Sequence, residues 1–197
     1  MRGSALGTLA GLVLAYAHFA RTFRGPRDRF WARMTTTGLT LGALALASGE
    51  AERIKPRWRD IPLGTLIAMG LFAIFQVGDR QARKLMPKGT AEIGDIYALR
   101  TVAPREEIAV RLAAVIGPAE ELFWRGWLQR RVGWLPASAA YAGAHVVTRN
   151  VTLIGAAGVA GVYWGALAAI GAPMTALIVS HAVWDIWIFL VSPTERS

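Results

Sequence analysis

The chain has 197 residues, 54% of them hydrophobic and 18% charged, with a formal net charge of +9 and no cysteine. Without cysteine, disulfides and thiolate metal sites are excluded. The cations fall in short runs between long apolar stretches, unlike a soluble domain with one core and amphipathic helices, and no RNA- or DNA-binding motif accompanies them.

The first apolar stretch, Gly3–Ala20, carries His18 and no formal charge. Arg2 precedes it, and Arg21, Arg24 and Arg27 follow without a small-residue cleavage pattern. An uncleaved first span is therefore expected rather than a signal peptide. His18 has no polar neighbour at helical spacing and reads as a packing or interfacial residue. Met34–Gly49 and Ile61–Gly78 contain no charge, and these stretches approach the ~20 residues that a helix needs to cross the bilayer. Residues 79–104 form the long polar connection. It carries Arg80, Arg83, Lys84, Pro87, Lys88 and two glycines, and an interfacial helical turn is expected within it. Further apolar helices are expected at 105–131, 134–148, 151–170 and 173–191, after first helices at 3–20, 34–49 and 61–78. The predicted fold is all-α, a polytopic transmembrane bundle of about seven (six to eight) helices in a single integral-membrane domain, 1–197.

If every segment crosses, one side of the membrane receives Arg2, the 53–59 cluster, Arg130 and Arg131. The other receives the 21–33 cluster, the 79–105 loop, Arg149 and Arg196, which is the more cationic set. The positive-inside rule then places the N-terminus outside and the C-terminus in the cytoplasm. Cations at this depth attract anionic headgroups, so membrane lipids are expected partners and nucleic acid is not.

Against this background the segment from Ile108 to Gln129 stands apart, because two adjacent carboxylates, Glu120 and Glu121, lie inside an apolar helix. Helical rise puts Glu120 about 18 Å from Ile108 and about 15 Å from Arg130, near mid-bilayer. An ionisable group there costs at least ~2.5 kcal/mol to insert, which marks a polar cavity with a function. Arg125 follows Glu121 by four residues on the same face, so those two can neutralise each other. Glu120 points about 100° away and has no such local partner, which makes it the better chemical candidate. His145 follows Tyr141 by one turn, and His181 precedes Asp185 by one turn, both at similar inferred depth. Two histidines, an aspartate and two glutamates on three helices can supply a base, orienting imidazoles and an electrostatic partner. Glu106, Glu107 and Arg111 repeat the EExxxR spacing, but they lie at a helix start beside the polar loop, where carboxylates are solvated and complement the helix N-terminus.

E-E-L-F-W-R (120–125), Y-A-G-A-H (141–145) and H-A-V-W-D (181–185), in this order on successive helices, resemble the CPBP family. This family comprises the type II CAAX prenyl proteases and bacteriocin-processing enzymes, also described as glutamic-type intramembrane proteases, with a sorting-type branch. The resemblance covers residues 104–191, the catalytic half, and the preceding Gly117-Pro118-Ala119 is also typical. It implies that Glu120 is the general base that activates water, with His145 helping to hold that water. It implies that Glu121 and Arg125 are a supporting pair, and that His181 and Asp185 stabilise the oxyanion. Tyr141 and Trp124 would be substrate-binding or supporting residues. Tyr141 stands where Phe is usual and brings a hydroxyl into the site. Asp185, if ionised, cannot donate a hydrogen bond, so it must be protonated or serve to orient His181.

The expected function is hydrolysis of a peptide bond within or at the edge of the bacterial plasma (inner) membrane. The substrate would be a membrane-associated protein or peptide carrying a C-terminal anchor or sorting segment, a leader, or a CAAX-like end. The Arg-, Ala- and Gly-rich composition suggests a GC-rich bacterium and disfavours a farnesylated substrate. No cofactor is favoured. Zinc on Glu120, His145 and His181 is the alternative, although H-E-x-x-H is absent. A non-catalytic scaffold, transporter or bis-histidine haem carrier is a third reading.

Overall fold

A computed structural model describes residues 4–86 and 88–191. Arg2, Pro87 and Arg196, used above for the loop and the orientation, lie outside the described residues. All regular structure within them is helical, and we number eight helices along the chain. These are α1 (Ala5–Arg24), α2 (Phe30–Ala47), α3 (Asp60–Leu85), α4 (Gly89–Tyr97), α5 (105–132), α6 (Trp134–Ala144), α7 (Val151–Ala169) and α8 (Met174–Val191).

Among the described residues, α3, α7 and α8 are long and apolar enough to cross a membrane. The outer surface supports the same reading. Leu9, Leu39, Leu66, Met69, Val110 and Val162 all point outward from long helices. A water-soluble surface would not tolerate so broad an apolar belt. The polar groups lie inside instead: Glu120, Glu121, Arg125, His145, His181 and Asp185 are all buried.

Helix ends follow from local chemistry. Ser4 caps α1 by accepting from the Gly7 amide at 3.1 Å, and Asn150 caps α7 by accepting from the Leu153 amide at 2.7 Å. α3 runs past the uncharged stretch as far as Leu85 because Arg83 pairs with Asp79 one turn earlier, at 3.0 Å. The interfacial turn expected in the polar connection is the nine-residue α4. α6 is shorter than the 134–148 expected. It ends at Ala144, where Val146–Thr148 tighten into a 3₁₀ turn and Arg149 takes a left-handed φ of 56°. β-branched Val146, Val147 and Thr148 favour this exit, and the Thr148 hydroxyl donates to the His145 carbonyl at 2.8 Å. Eleven residues span about 16 Å, well short of the ~30 Å hydrocarbon core.

The connections alternate between two ends of the bundle. Residues 25–29, α4 and its flanks, and 145–150 lie at one end, while 48–59, Gly133 and 170–173 lie at the other. α5 is the central helix, packed by α2 on one side and α8 on another. At Gly117 an added Cβ would lie 3.4 Å from the Ala182 amide, so α8 approaches the α5 backbone where a side chain would hold it off. That approach places His181 and Asp185 beside the two glutamates.

Candidate active site

α5 is not a regular α-helix. Leu112–Ile116 and Glu121–Leu128 have π-helical register, with an α-helical turn at Gly117–Glu120 between them. Pro118 has no N–H to donate back along the helix, so the preceding turn cannot keep its hydrogen-bond ladder unbroken. Wide turns of this kind re-aim side chains, and they recur at functional sites. Here they put Glu120 and Glu121, both buried, on different neighbours.

Glu121 is fully buried and held twice through one oxygen. Arg125 Nη1 lies 3.2 Å from Glu121 Oε1, and His181 Nδ1 lies 2.7 Å from the same atom. A carboxylate paired with Arg125 can only accept, so His181 Nδ1–H is the donor. The Arg125 guanidinium is also sandwiched by rings, 4.6 Å from the Tyr141 centroid and 5.2 Å from Trp164. Arg125 Nη2 donates to the Ala160 carbonyl on α7 at 3.5 Å, the limit of a hydrogen bond.

His181 is fixed on two further sides. Its ring stacks on Trp164, with centroids 4.2 Å apart and 20° between planes. The Trp164 indole N–H donates to the Ser180 hydroxyl at 3.0 Å. His181 Nε2 lies 3.5 Å from Asp185 Oδ2, near enough for electrostatic attraction but longer than an ordinary hydrogen bond. His145 sits at the C-terminal end of α6, with its Nδ1 2.9 Å from the Tyr141 carbonyl. A carbonyl can only accept, so Nδ1 carries the proton and Nε2 is the basic nitrogen of the neutral ring. Phe19, Phe23 and Tyr141 surround the imidazole at centroid distances of 5.2–5.6 Å.

Glu120 is placed differently from Glu121. Among the described residues it makes no ion pair, and the Tyr141 side chain is its hydrogen-bonding neighbour. Glu120, Tyr141, His145, His181 and Asp185 all line one cavity of about 620 Å³. The remaining wall is mostly apolar, and the cavity reaches the bundle end that carries Arg27, Asp79 and Asp95. The structure thus gathers all of these sequence-derived candidates in one place. Trp124 belongs to the packing beneath them, edge-on to Tyr141 at 5.4 Å.

The Glu106 and Glu107 pair remains exposed at the start of α5, as expected. Arg111 binds Glu107 at 2.6 Å and the Thr35 hydroxyl at 2.7 Å. His18 is half-buried, and its carbonyl receives the Thr37 hydroxyl at 3.4 Å. Residues passed over in the sequence also contribute. Trp164 and Ser180 support His181, and the buried Trp184 indole nitrogen, in the cavity wall, has no hydrogen-bond partner among the described residues. A small polar residue directly before His181 in an apolar helix was the available signal for Ser180. For Trp164, in an apolar run of small residues, there was none.

Among the described residues no group of three or more His, Asp or Glu side chains is placed to hold a metal ion. His145 and His181 each engage Nδ1 in a protein contact, and His181 Nε2 faces Asp185.

Comparison with protein-family models returns a type II CAAX prenyl endopeptidase, Rce1-like, domain over residues 107–187. That span includes the three motifs, α6, α7 and most of α8. This match, over 81 of the 197 residues, supports the resemblance to the CPBP family of membrane-embedded proteases. Neither the curated proteins nor the solved structures gave a match.

Proposed function

We propose that the chain is a bacterial glutamic-type intramembrane endopeptidase in which Glu120 activates the attacking water. One observation supports this above the rest: of the two adjacent buried carboxylates, Glu121 is neutralised by Arg125 and His181, while Glu120 lines the cavity without an ion pair. Water held between Glu120 and His145 Nε2 would lose its proton to the Glu120 carboxylate as its oxygen attacks the scissile carbonyl carbon. His181, anchored at Nδ1 by Glu121, would present Nε2 to the developing oxyanion, and the Asp185 carboxylate beside Nε2 would favour a proton there. Collapse of the tetrahedral intermediate would break the C–N bond, and Glu120 would return its proton to the leaving amine.

The apolar cavity wall suits an extended hydrophobic segment of a membrane-associated protein, such as a C-terminal anchor, leader or CAAX-like end. Comparison of the membrane-anchored proteome of the host with and without the chain would identify the substrate. The mechanism is tested with that substrate and purified protein. Glu120→Gln should reduce cleavage by at least about 10²-fold, the usual contribution of a general base, with an unchanged thermal transition. Retained activity in that variant would sink the assignment. Undiminished activity after exhaustive chelation is the matching expectation for a metal-free reaction.

A further inference from the structure

A second cleft, of about 600 Å³, opens at the opposite end of the bundle, between the α2–α3 connection, the α5–α6 turn and the α7–α8 turn. Its rim is cationic: Arg53, Lys55 and Arg130 face it, against Glu52, while Arg125 at the inner end is answered by Glu121. Glu50, buried just behind, pairs with Arg130 at 3.2 Å and with Arg53 at 3.9 Å, which fixes two cations at the rim. Lys55 is exposed there and has no salt bridge among the described residues. At the inner end, Arg125 Nη1 is buried and, although ion-paired with Glu121, makes no hydrogen bond. The opposite wall is apolar, formed by Trp134, Ala172, Met174 and Leu177.

The depth of this cleft is set by the spans around it. α3 begins, α7 ends and α8 begins at this level, so the cleft lies where hydrocarbon gives way to headgroups. Two cation–aromatic pairs mark the same level, Arg59 at 5.1 Å from the Trp58 ring and Arg131 at 4.3 Å from the Trp127 ring, with Trp58 77% exposed. Tryptophan and arginine concentrate at this boundary. Cations beside an apolar wall, at headgroup depth, match an amphiphile with an anionic head and a hydrocarbon tail.

We propose that this cleft binds the phosphate-bearing headgroup of an anionic phospholipid, with Lys55, Arg53 and Arg130 at the phosphate and the first acyl carbons against Met174 and Leu177. The bound lipid approaches Arg125 from the side away from the Glu120 cavity. This assignment is independent of the protease reading.

The test uses the purified full chain in neutral detergent, with thermal unfolding recorded against phosphatidylglycerol, phosphatidylcholine and inorganic phosphate. Phosphatidylglycerol should raise Tm by several degrees, and the other two should not. Lys55→Gln, at an exposed position, should keep the lipid-free Tm and lose part of the rise. Lys55→Gln with Arg130→Gln should abolish the rise, and Arg130→Lys should restore most of it. Arg24→Gln, at the other end of the bundle, should leave it intact. An equal rise with phosphatidylcholine would show a hydrophobic effect only, and an equal rise with inorganic phosphate would show a free-anion site. Either result, or a full phosphatidylglycerol response in the double variant, overturns the proposal.

Discussion

Glu120 and Glu121 share a sequence motif and an equal depth of burial, but their surroundings give them different energetic weight. Glu121 is answered by Arg125 and His181. Its removal leaves a buried guanidinium unpaired, a loss of about 3–5 kcal/mol in comparable buried pairs. Glu121→Ala should therefore lower thermal stability sharply in detergent, whereas Glu120→Gln should not. Glu121→Gln combined with Arg125→Met should recover part of that loss, because a buried ion pair can be replaced by apolar packing once both charges are gone. Unfolding midpoints of the unaltered chain, Glu121→Gln, Arg125→Met and the double variant, compared as a double-mutant cycle, check this. The Glu121–Arg125 pair was legible in the sequence, since one helical turn separates the two. The contact between Glu121 and His181 was not, because it depends on how closely α8 approaches Gly117. The stack of Trp164 on His181 has the same origin: an apolar tryptophan carries no mark of its partner until α7 and α8 are in place.

Among the helices, α5 shows how much a single proline decides. With Pro118 lacking an N–H, the turns on either side widen, and the two glutamates acquire separate neighbours. Pro118→Ala supplies the missing donor and favours an unbroken α-helix. The expected outcome is a lower kcat with equal or higher thermal stability, read from initial rates and melting curves of the same preparation. α4 is held by a different device. The Glu92 carboxylate accepts from the Thr152 amide at 2.9 Å and from its hydroxyl at 2.7 Å, and Asn150 Nδ2 donates to the Glu92 carbonyl at 2.8 Å. These bonds hold the Glu92 carboxyl below the usual carboxylate range, with the Thr152 hydroxyl as the largest influence. A depressed value means that the tether is fully present above the ordinary glutamate range and is lost as pH falls through the lowered one. Protection of the amides in residues 88–97, taken relative to the intrinsic exchange rate at each pH, should be high near neutrality and fall at acid pH. Glu92→Ala should make that protection low at every pH. The polar composition of 79–104 indicated an interfacial turn, but Glu92 looked like any solvated acid, because its partners lie about sixty residues further along the chain.

Across the whole bundle, small residues set the spacing. α6 and α7 pack closely at Gly161, where an added Cβ would sit 3.1 Å from the Tyr141 ring and 3.2 Å from the Ser138 carbonyl. Gly161→Val should force α6 outward and move Tyr141, at a cost of about 1–3 kcal/mol typical of overpacking. A lowered melting point together with reduced cleavage would show that the same contact serves stability and site geometry. A lowered melting point with full activity would separate the two. The all-helical membrane fold was legible from the alternation of uncharged stretches and cationic turns, which depends only on local composition. The 134–148 segment misled because its apolar residues continue past Ala144, while its β-branched residues and the Thr148 hydroxyl end the helix there.

The two cavities enter the bundle from opposite ends, and Glu121 with Arg125 lies between them. A protein that admits water from both faces of a bilayer is at risk of becoming a proton conductor, which would dissipate the ion gradients of any cell that expresses it. A buried, mutually neutralised pair interrupts such a path, because separating its two charges in a low-dielectric surround is costly. In reconstituted vesicles the intact chain should hold a pH gradient, and substitution of Arg125 by a small neutral residue should make those vesicles leak. The pair would then be the seal that lets a hydrolytic site exist inside an insulating membrane.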